Sequence, residues 1–217
     1  GWDVQKLFKV MLTSATYRQA ATVTQQKLEL DRDNVLFSRG PRFRMDAEMV
    51  RDYALSVSGL LSRKMYGPGT KPYQPTGIWD VVGLSGGDTR NYVQDKGENL
   101  YRRTVYHFWK RMAAPPNMVA FNAPSREYCA VSRERTNTPL QALITLNDPQ
   151  FVEAARKLAE LALIETDGSD QAMIDFVTDR ALSRALKDRE IEIVQSSKQN
   201  LHENYQANAD DAKSPLE

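Results

Sequence analysis

The densest group of polar side chains able to bind a ligand lies just before a predicted helix in the third quarter of the chain. It consists of Arg126, Arg133, Arg135, Asn137 and Gln141. Guanidinium and amide donors ahead of a helix N-terminus, where free N–H groups favour negative charge, suit an oxyanion or a sugar. We therefore predict these five as ligand-binding residues. The alternative interpretation is that the arginines tie this loop to the acidic helices that follow.

A second pattern, Gly-Leu-Ser-Gly-Gly at residues 83–87, has the G-x-S-x-G form of a nucleophile elbow. That motif exposes its serine only on a tight turn between a strand and a helix. Residues 88–91 show no helical periodicity, and the general base would have to be His107 or His202. A glycine-rich loop is the favoured interpretation, and no complete catalytic set is evident.

A basic group near the start of the chain could bind phosphate or a carboxylated sugar, and it comprises Arg39, Arg42, Arg44 and Arg51. Carboxylates nearby favour ion pairing within the protein instead, and these are Asp46, Glu48 and Asp52.

Sequence signatures of metal and haem sites (HExxH, CxxC, EF-hand loops and CxxCH) do not occur in the chain. We therefore expect no metal and no cofactor in this fragment. The single cysteine, Cys129, lies between Tyr128 and Ala130, and we expect a buried, unreactive thiol there.

The elements that must position these residues are mainly helical. Apolar stripes at helical spacing predict one helix from about residue 4 to 19 and another from about 47 to 61. Further helices are predicted after four capping residues, Thr138, Asp148, Ser169 and Asp188. The predicted fold class is thus a mainly α, helical domain.

Two other features complete the predicted fold. Aromatic and β-favouring residues at 101–109 and 128–133 predict a small β-ribbon. Residues 65–100 form a long glycine-rich loop, which holds seven of the eleven glycines. Its aromatic side chains Tyr73, Trp79 and Tyr92 could stack on sugar rings or anchor the loop to the core.

The 217 residues carry 29 Lys+Arg and 28 Asp+Glu, so the net charge of +1 gives no reason to expect nucleic acid. The charge is unevenly placed, with +8 in residues 1–147 and −7 in residues 148–217. No apolar run approaches the roughly 20 residues that span a bilayer. We expect a fragment of a larger protein, with one mainly helical domain over 1–207 and a frayed tail with a vector-derived end over 208–217.

Four strings of sequence, in order, resemble one protein family. They are residues 12–19 (LTSATYRQ), 40–52 (GPRFRMDAEMVRD), 101–106 (YRRTVY) and 135–143 (RTNTPLQAL). The chain resembles the domain of unknown function 1553 family over residues 2 to about 184. This is the C-terminal domain of large planctomycete-type proteins, often with a cytochrome-c-like domain upstream. The resemblance implies an exported parent, periplasmic or at the cell surface, with haem in another domain, and it supplies no catalytic residues.

Three functions remain open at this point. The leading hypothesis is a non-catalytic interaction module that packs on upstream domains of the same parent protein. The second is a domain that binds or acts on polysaccharide, with its pocket among the five predicted residues and the aromatic loop. The third is a docking part of an electron-transfer assembly. Whether the chain is an enzyme stays open.

Overall fold

The computed structural model describes residues 1–80, 82, 91–110 and 112–208. The chain divides into two compact units, Gly1–Arg44 and Met45–Glu217. The single domain expected over 1–207 therefore stays a prediction. Apart from Asn208, the expected frayed tail lies outside the described residues, as does the G-x-S-x-G pattern at 83–87.

The first unit contains two helices, α1 (Val4–Thr13) and α2 (Gln25–Leu30). The carboxylate of Asp3 caps α1 by accepting from the Lys6 N–H at 2.9 Å, as the sequence predicts. Helix α1 ends six residues earlier than expected, and α2 lies in a stretch that the sequence pattern leaves irregular. None of the residues of α1 is buried, so the first unit does not cover its apolar stripe.

Hydrogen bonds to the backbone organise the rest of the first unit. The guanidinium of Arg39 donates to the carbonyl oxygens of Asp31 at 2.7 Å and Arg32 at 2.6 Å. A Cβ atom on Gly40 would clash with the backbone oxygen of Gln19, so this close approach requires glycine. Arg39 is thus used in the fold of its own loop.

The second unit is built from six further helices of the described residues. They are α3 (Ala47–Val57), α4 (Pro116–Ala120), α5 (Pro139–Asn147), α6 (Pro149–Glu165), α7 (Asp170–Leu182) and α8 (Asp188–Ala207). Helix α3 packs against α4 and α6, and α6 also packs against α5 and α7. The apolar core lies between these helices and includes Leu55, Met118, Phe151, Ala154 and Ile174. The mainly helical fold class is confirmed.

The small β-ribbon is not present in the described part of the chain. Two short 3-10 helices, Gly97–Tyr101 and Thr104–Tyr106, and isolated β-bridges occupy the first predicted strand region. Residues 128–133 contain no strand. The backbone groups that a strand ladder would use are bound by side chains of α3 instead. Arg51 donates to the carbonyls of Leu100 and Arg102, and Asp52 accepts from the Thr104 N–H.

Candidate functional site

The arginines predicted to bind a ligand are paired within the protein. Arg133 donates to the carboxylate of Glu48 at 2.6 Å, and Arg135 lies 3.3 Å from that of Asp46. Both acids stand at the N-terminus of α3, where the helix dipole favours negative charge. The sequence interpretation paired Asp46, Glu48 and Asp52 with Arg39, Arg42, Arg44 and Arg51. Of these pairs, Arg51 with Asp52 is present at 3.9 Å, whereas Glu48 and Asp46 bind Arg133 and Arg135.

Gln141 is buried and its amide is fully used in the fold. Its Oε1 accepts from the Thr138 N–H at 3.2 Å, and Thr138 in turn accepts from the Gln141 N–H, which completes the predicted capping box. Its Nε2 donates to Ala120 O at 2.9 Å and to Thr136 Oγ1 at 3.1 Å. Gln141 therefore joins α5 to the end of α4.

Of the five predicted residues, Arg133 and Arg135 line one groove together. A groove of about 460 Å³ is lined by Asp46, Arg133, Arg135 and residues 130–132, without Arg126, Asn137 or Gln141. Arg126 is exposed, and its guanidinium lies 4.7 Å from the centre of the Trp109 ring. Asn137 is also exposed. Binding of a ligand by any of these residues stays a prediction.

Arg51 makes four hydrogen bonds in the second unit, although it is only 2% exposed. In addition to the carbonyls of Leu100 (2.7 Å) and Arg102 (2.9 Å), it binds Thr104 Oγ1 at 3.1 Å and Gln150 Oε1 at 2.6 Å. These four acceptors lie on α6 and on the segment 100–104. Arg51 thus holds that segment against α3 and α6.

Burial lowers the pKa of Arg51 to about 10, and the charge of Asp52 opposes this shift. A guanidinium with that pKa stays protonated at neutral pH. Asp52 Oδ1 lies 3.9 Å away and also accepts from the Thr104 N–H (2.7 Å) and hydroxyl (2.6 Å). Removing one partner of a buried cation that is hydrogen-bonded in this way strongly destabilises the fold.

The network around Arg51 continues into the glycine-rich loop. Gln150 Nε2 donates to the carbonyl of Tyr73 at 3.2 Å. Asp148 caps α6 at the Gln150 N–H and accepts from Asn117 on α4. Burial raises the pKa of the Asp148 carboxyl. The polar side chains of α3, α4 and α6 therefore fix both the loop and the start of α6.

His107 lies in the same region and is 4% exposed, with neither ring nitrogen hydrogen-bonded. Burial lowers its pKa to about 3, and the positive charges of Arg51 and Arg126 act in the same direction. The imidazole is therefore neutral at physiological pH. As the general base considered for the G-x-S-x-G pattern, His107 therefore has no hydrogen-bond partner to orient its ring.

A small cleft, which we call the Trp79 cleft, lies in the glycine-rich loop. It has a volume of about 250 Å³, and its walls include Gln74, Trp79, Asp80, Asn91, Tyr92 and Gln94. The Trp79 ring packs edge-on against Tyr92 at 4.9 Å between centres and is 2% exposed. Trp79 thus anchors the loop, which is one of the two roles the sequence allows for it. No residue in the predicted ligand-binding set lines this cleft.

Cys129 is exposed and free, so the expectation of a buried thiol is wrong; it lies in a loop that contributes nothing to the core. Within residues 1–80, 82, 91–110 and 112–208, no group of three or more His, Cys, Asp or Glu side chains could hold a metal ion. Over the same residues, no helix is both long enough and apolar enough to cross a membrane.

Comparison with known proteins identifies a family but no characterised relative. Neither a search of curated proteins nor a search of solved structures finds a match to this chain. A family model described as protein of unknown function (DUF1553), PSD1, matches residues 1–197. Because this match covers most of the 217 residues, the chain belongs to the DUF1553 family.

Proposed function

We propose that this chain is a non-catalytic interaction module that packs against another domain of a larger, exported protein. The observation that carries the proposal is the exposed apolar stripe of α1. Leu7 and Phe8 are each 56% exposed, and Met11 is 52% exposed. A contiguous apolar surface on a helix is typical of an interaction site.

The length of α1 supports the same conclusion. Isolated helices shorter than about 12–15 residues are marginal in water, and most helical stability comes from packing an apolar face. Helix α1 has ten residues and no buried side chain. The positions Val4, Leu7, Phe8 and Met11 follow the i, i+3, i+4, i+7 spacing by which a helix enters an apolar groove. Such a groove on another domain of the parent protein is the partner that we propose.

The predicted polar site supports this role as well. Arg133, Arg135 and Gln141 bind groups of the protein itself, as a module that serves packing rather than chemistry requires. The family resemblance suggests the setting, which is an exported protein with haem in another domain. In this proposal the haem belongs to the partner domain and not to this chain.

The proposal is tested by measuring how tightly this chain binds the remaining domains of its parent protein, prepared separately. Replacing two stripe residues, Leu7→Ser with Met11→Ser, should weaken binding at least tenfold, because truncated apolar anchors commonly cost more than 1 kcal/mol each. The matched control, Gln5→Ser with Lys9→Ser, introduces the same residue on the opposite face and should bind as the unmodified chain does.

Two outcomes would contradict the proposal. One is equal binding by the stripe variant and the control, which would place the interface elsewhere. The other is a stable dimer of the chain alone, measured by light scattering, that the stripe variant abolishes. In that case a second copy, rather than another domain of the parent protein, covers α1.

A further inference from the structure

The Trp79 cleft has the chemistry of a binding site that the packing role does not use. Its polar walls come from three amides (Gln74, Asn91 and Gln94) and one carboxylate (Asp80). Each amide presents both donors and an acceptor, and a carboxylate accepts at two oxygens. This set matches a ligand with several hydroxyl groups, since each hydroxyl donates once and accepts as well.

Two buried donors in the cleft walls lack acceptors. Gln74 is 7% exposed and Trp79 2% exposed, and neither Gln74 Nε2 nor Trp79 Nε1 has a hydrogen-bond partner. Leaving a buried N–H without an acceptor is costly, and most such groups in folded proteins are paired. Because both donor atoms are fully covered, a ligand oxygen in the cleft would supply the missing acceptor once the Gln74 or Trp79 side chain moves.

The charge of the walls points to a neutral ligand. Among the described residues that line the cleft, which lie at 74–80 and 91–94, Asp80 carries a charge and there is no lysine or arginine. The ammonium groups of Lys71 and Lys110 lie 5.7 and 4.6 Å from the centre of the Trp79 ring and cover the indole. The indole therefore forms part of the wall rather than a surface for stacking. An anionic ligand would have to enter beside the carboxylate of Asp80.

The volume of the cleft limits the size of the ligand. Pockets for drug-sized molecules span about 300–1,000 Å³, and this cleft of about 250 Å³ lies just below that range. We propose that the Trp79 cleft binds one ring of a neutral saccharide, held by the amides of Gln74, Asn91 and Gln94 and by the carboxylate of Asp80. This site is distinct from the α1 surface and does not depend on it.

The indole N–H signals of the chain provide a direct test. The chain has three tryptophans, Trp2, Trp79 and Trp109, so a ¹⁵N-labelled sample gives three such signals in an NMR correlation spectrum. Trp2→Phe and Trp109→Phe assign them by elimination and leave Trp79 intact. The probes are glucose, galactose, mannose and xylose, each as a monosaccharide and as a β-1,4-linked trimer. Galacturonic acid and inorganic phosphate serve as anionic probes.

We expect at least one neutral sugar to shift the Trp79 signal in a saturable manner, while the signal of the fully exposed Trp2 stays in place. Asn91→Ala and Gln94→Ala should each weaken binding about three- to tenfold, as the loss of one neutral hydrogen bond does. Both residues are exposed at the cleft, so these variants should keep the fold. Asn200→Ala, an exposed amide on α8 that does not line the cleft, is the matched control.

Three results would overturn the proposal. The first is a Trp79 signal that none of the neutral sugars moves. The second is equal affinity of Asn91→Ala, Gln94→Ala and Asn200→Ala for a sugar that does bind. The third is preferential binding of galacturonic acid or phosphate, which would mean that the two lysines and not the amides select the ligand. None of these results bears on the α1 experiment.

Discussion

Acidification should destabilise the second unit through His107. The pKa of this imidazole is lowered from 6.5 to about 3 in the folded chain, first by burial and then by the charges of Arg51 and Arg126. Between these two values the unfolded chain binds a proton that the folded chain does not, so stability falls as the pH falls. The full contribution is present above pH 6.5 and is lost progressively toward pH 3.

The magnitude follows from the width of that window. One pKa unit corresponds to about 1.4 kcal/mol, so lowering the pH from 7 to 5 should remove about 2 kcal/mol of unfolding free energy through this residue alone. That loss is a large share of the roughly 5–15 kcal/mol typical of a domain. Restricting the range to pH 5–7 limits the contribution of carboxylates, which titrate mainly at lower pH.

The measurement is urea denaturation at several pH values for the unmodified chain and for His107→Leu. Leucine removes the titration together with two ring nitrogens that have no partner. The difference in unfolding free energy between the two proteins should therefore change by about 2 kcal/mol from pH 7 to pH 5. His107→Gln provides a second non-titrating variant if leucine packs poorly.

The control is His202→Gln, because His202 is exposed on α8. As a substitution at an exposed position, this variant should change the unfolding free energy at pH 7 by no more than about 0.5 kcal/mol. A constant difference between the unmodified chain and both His107 variants would refute the reasoning, since it would mean that His107 titrates alike in the folded and unfolded states. A steeper loss in the His107 variants than in the unmodified chain would refute the sign.

Two further predictions concern buried polar side chains, both measured by urea denaturation at pH 7. Arg51→Met should lower the unfolding free energy by about 3–5 kcal/mol, because it leaves several buried acceptors without a donor. Arg103→Met removes an exposed arginine 4.0 Å from Asp52 and should lower it by less than about 1 kcal/mol. Similar losses of unfolding free energy in the two variants would contradict the role of Arg51. Gln141→Ala should lower the unfolding free energy by about 1–3 kcal/mol, because it removes the capping box and leaves a carbonyl unpaired. The control is Gln171→Ala at an exposed position, and an equal loss of unfolding free energy in the two variants would contradict this prediction.

Local signals in the sequence predicted the later helices well. The proline after Thr138 and the glutamine three residues beyond that threonine specify a helix start through contacts within one turn, and the structure contains that start. Asp148 and Ser169 cap their helices as expected. A cap depends only on residues two or three positions apart, so its geometry can be inferred without knowledge of the rest of the fold.

The face that α3 buries could not be inferred in the same way. Its apolar residues predicted a core face that includes Met49 and Tyr53. In the structure these side chains are 47% and 39% exposed, whereas Arg51 is 2% exposed. Periodicity assigns an arginine to the surface because a buried charge is expensive without partners. The partners of Arg51 are 49 to 99 residues away in the sequence, and no pattern within the helix indicates them.

One interpretation of the loop arginines was that they tie the loop to the acidic helices that follow. Arg133 and Arg135 are paired with Glu48 and Asp46 at the start of α3, which lie in the basic part of the chain. Arg51, Arg102 and Gln141 also donate hydrogen bonds to backbone oxygens, which uses these positive or polar side chains within the fold.

The negative charge of α6 to α8 affects where a partner would bind. Helices α6 to α8 lie in the acidic part of the chain, residues 148–217. Hydrogen bonds between a buried arginine and backbone carbonyls do not neutralise the net charge of these helices. That charge remains at the surface, where it repels an acidic partner and is screened by salt. The exposed apolar stripe of α1 carries no carboxylate. An apolar partner surface therefore fits α1 better than it fits the acidic helices. Apolar binding depends little on salt, so measuring affinity at several salt concentrations distinguishes binding at α1 from binding at α6 to α8.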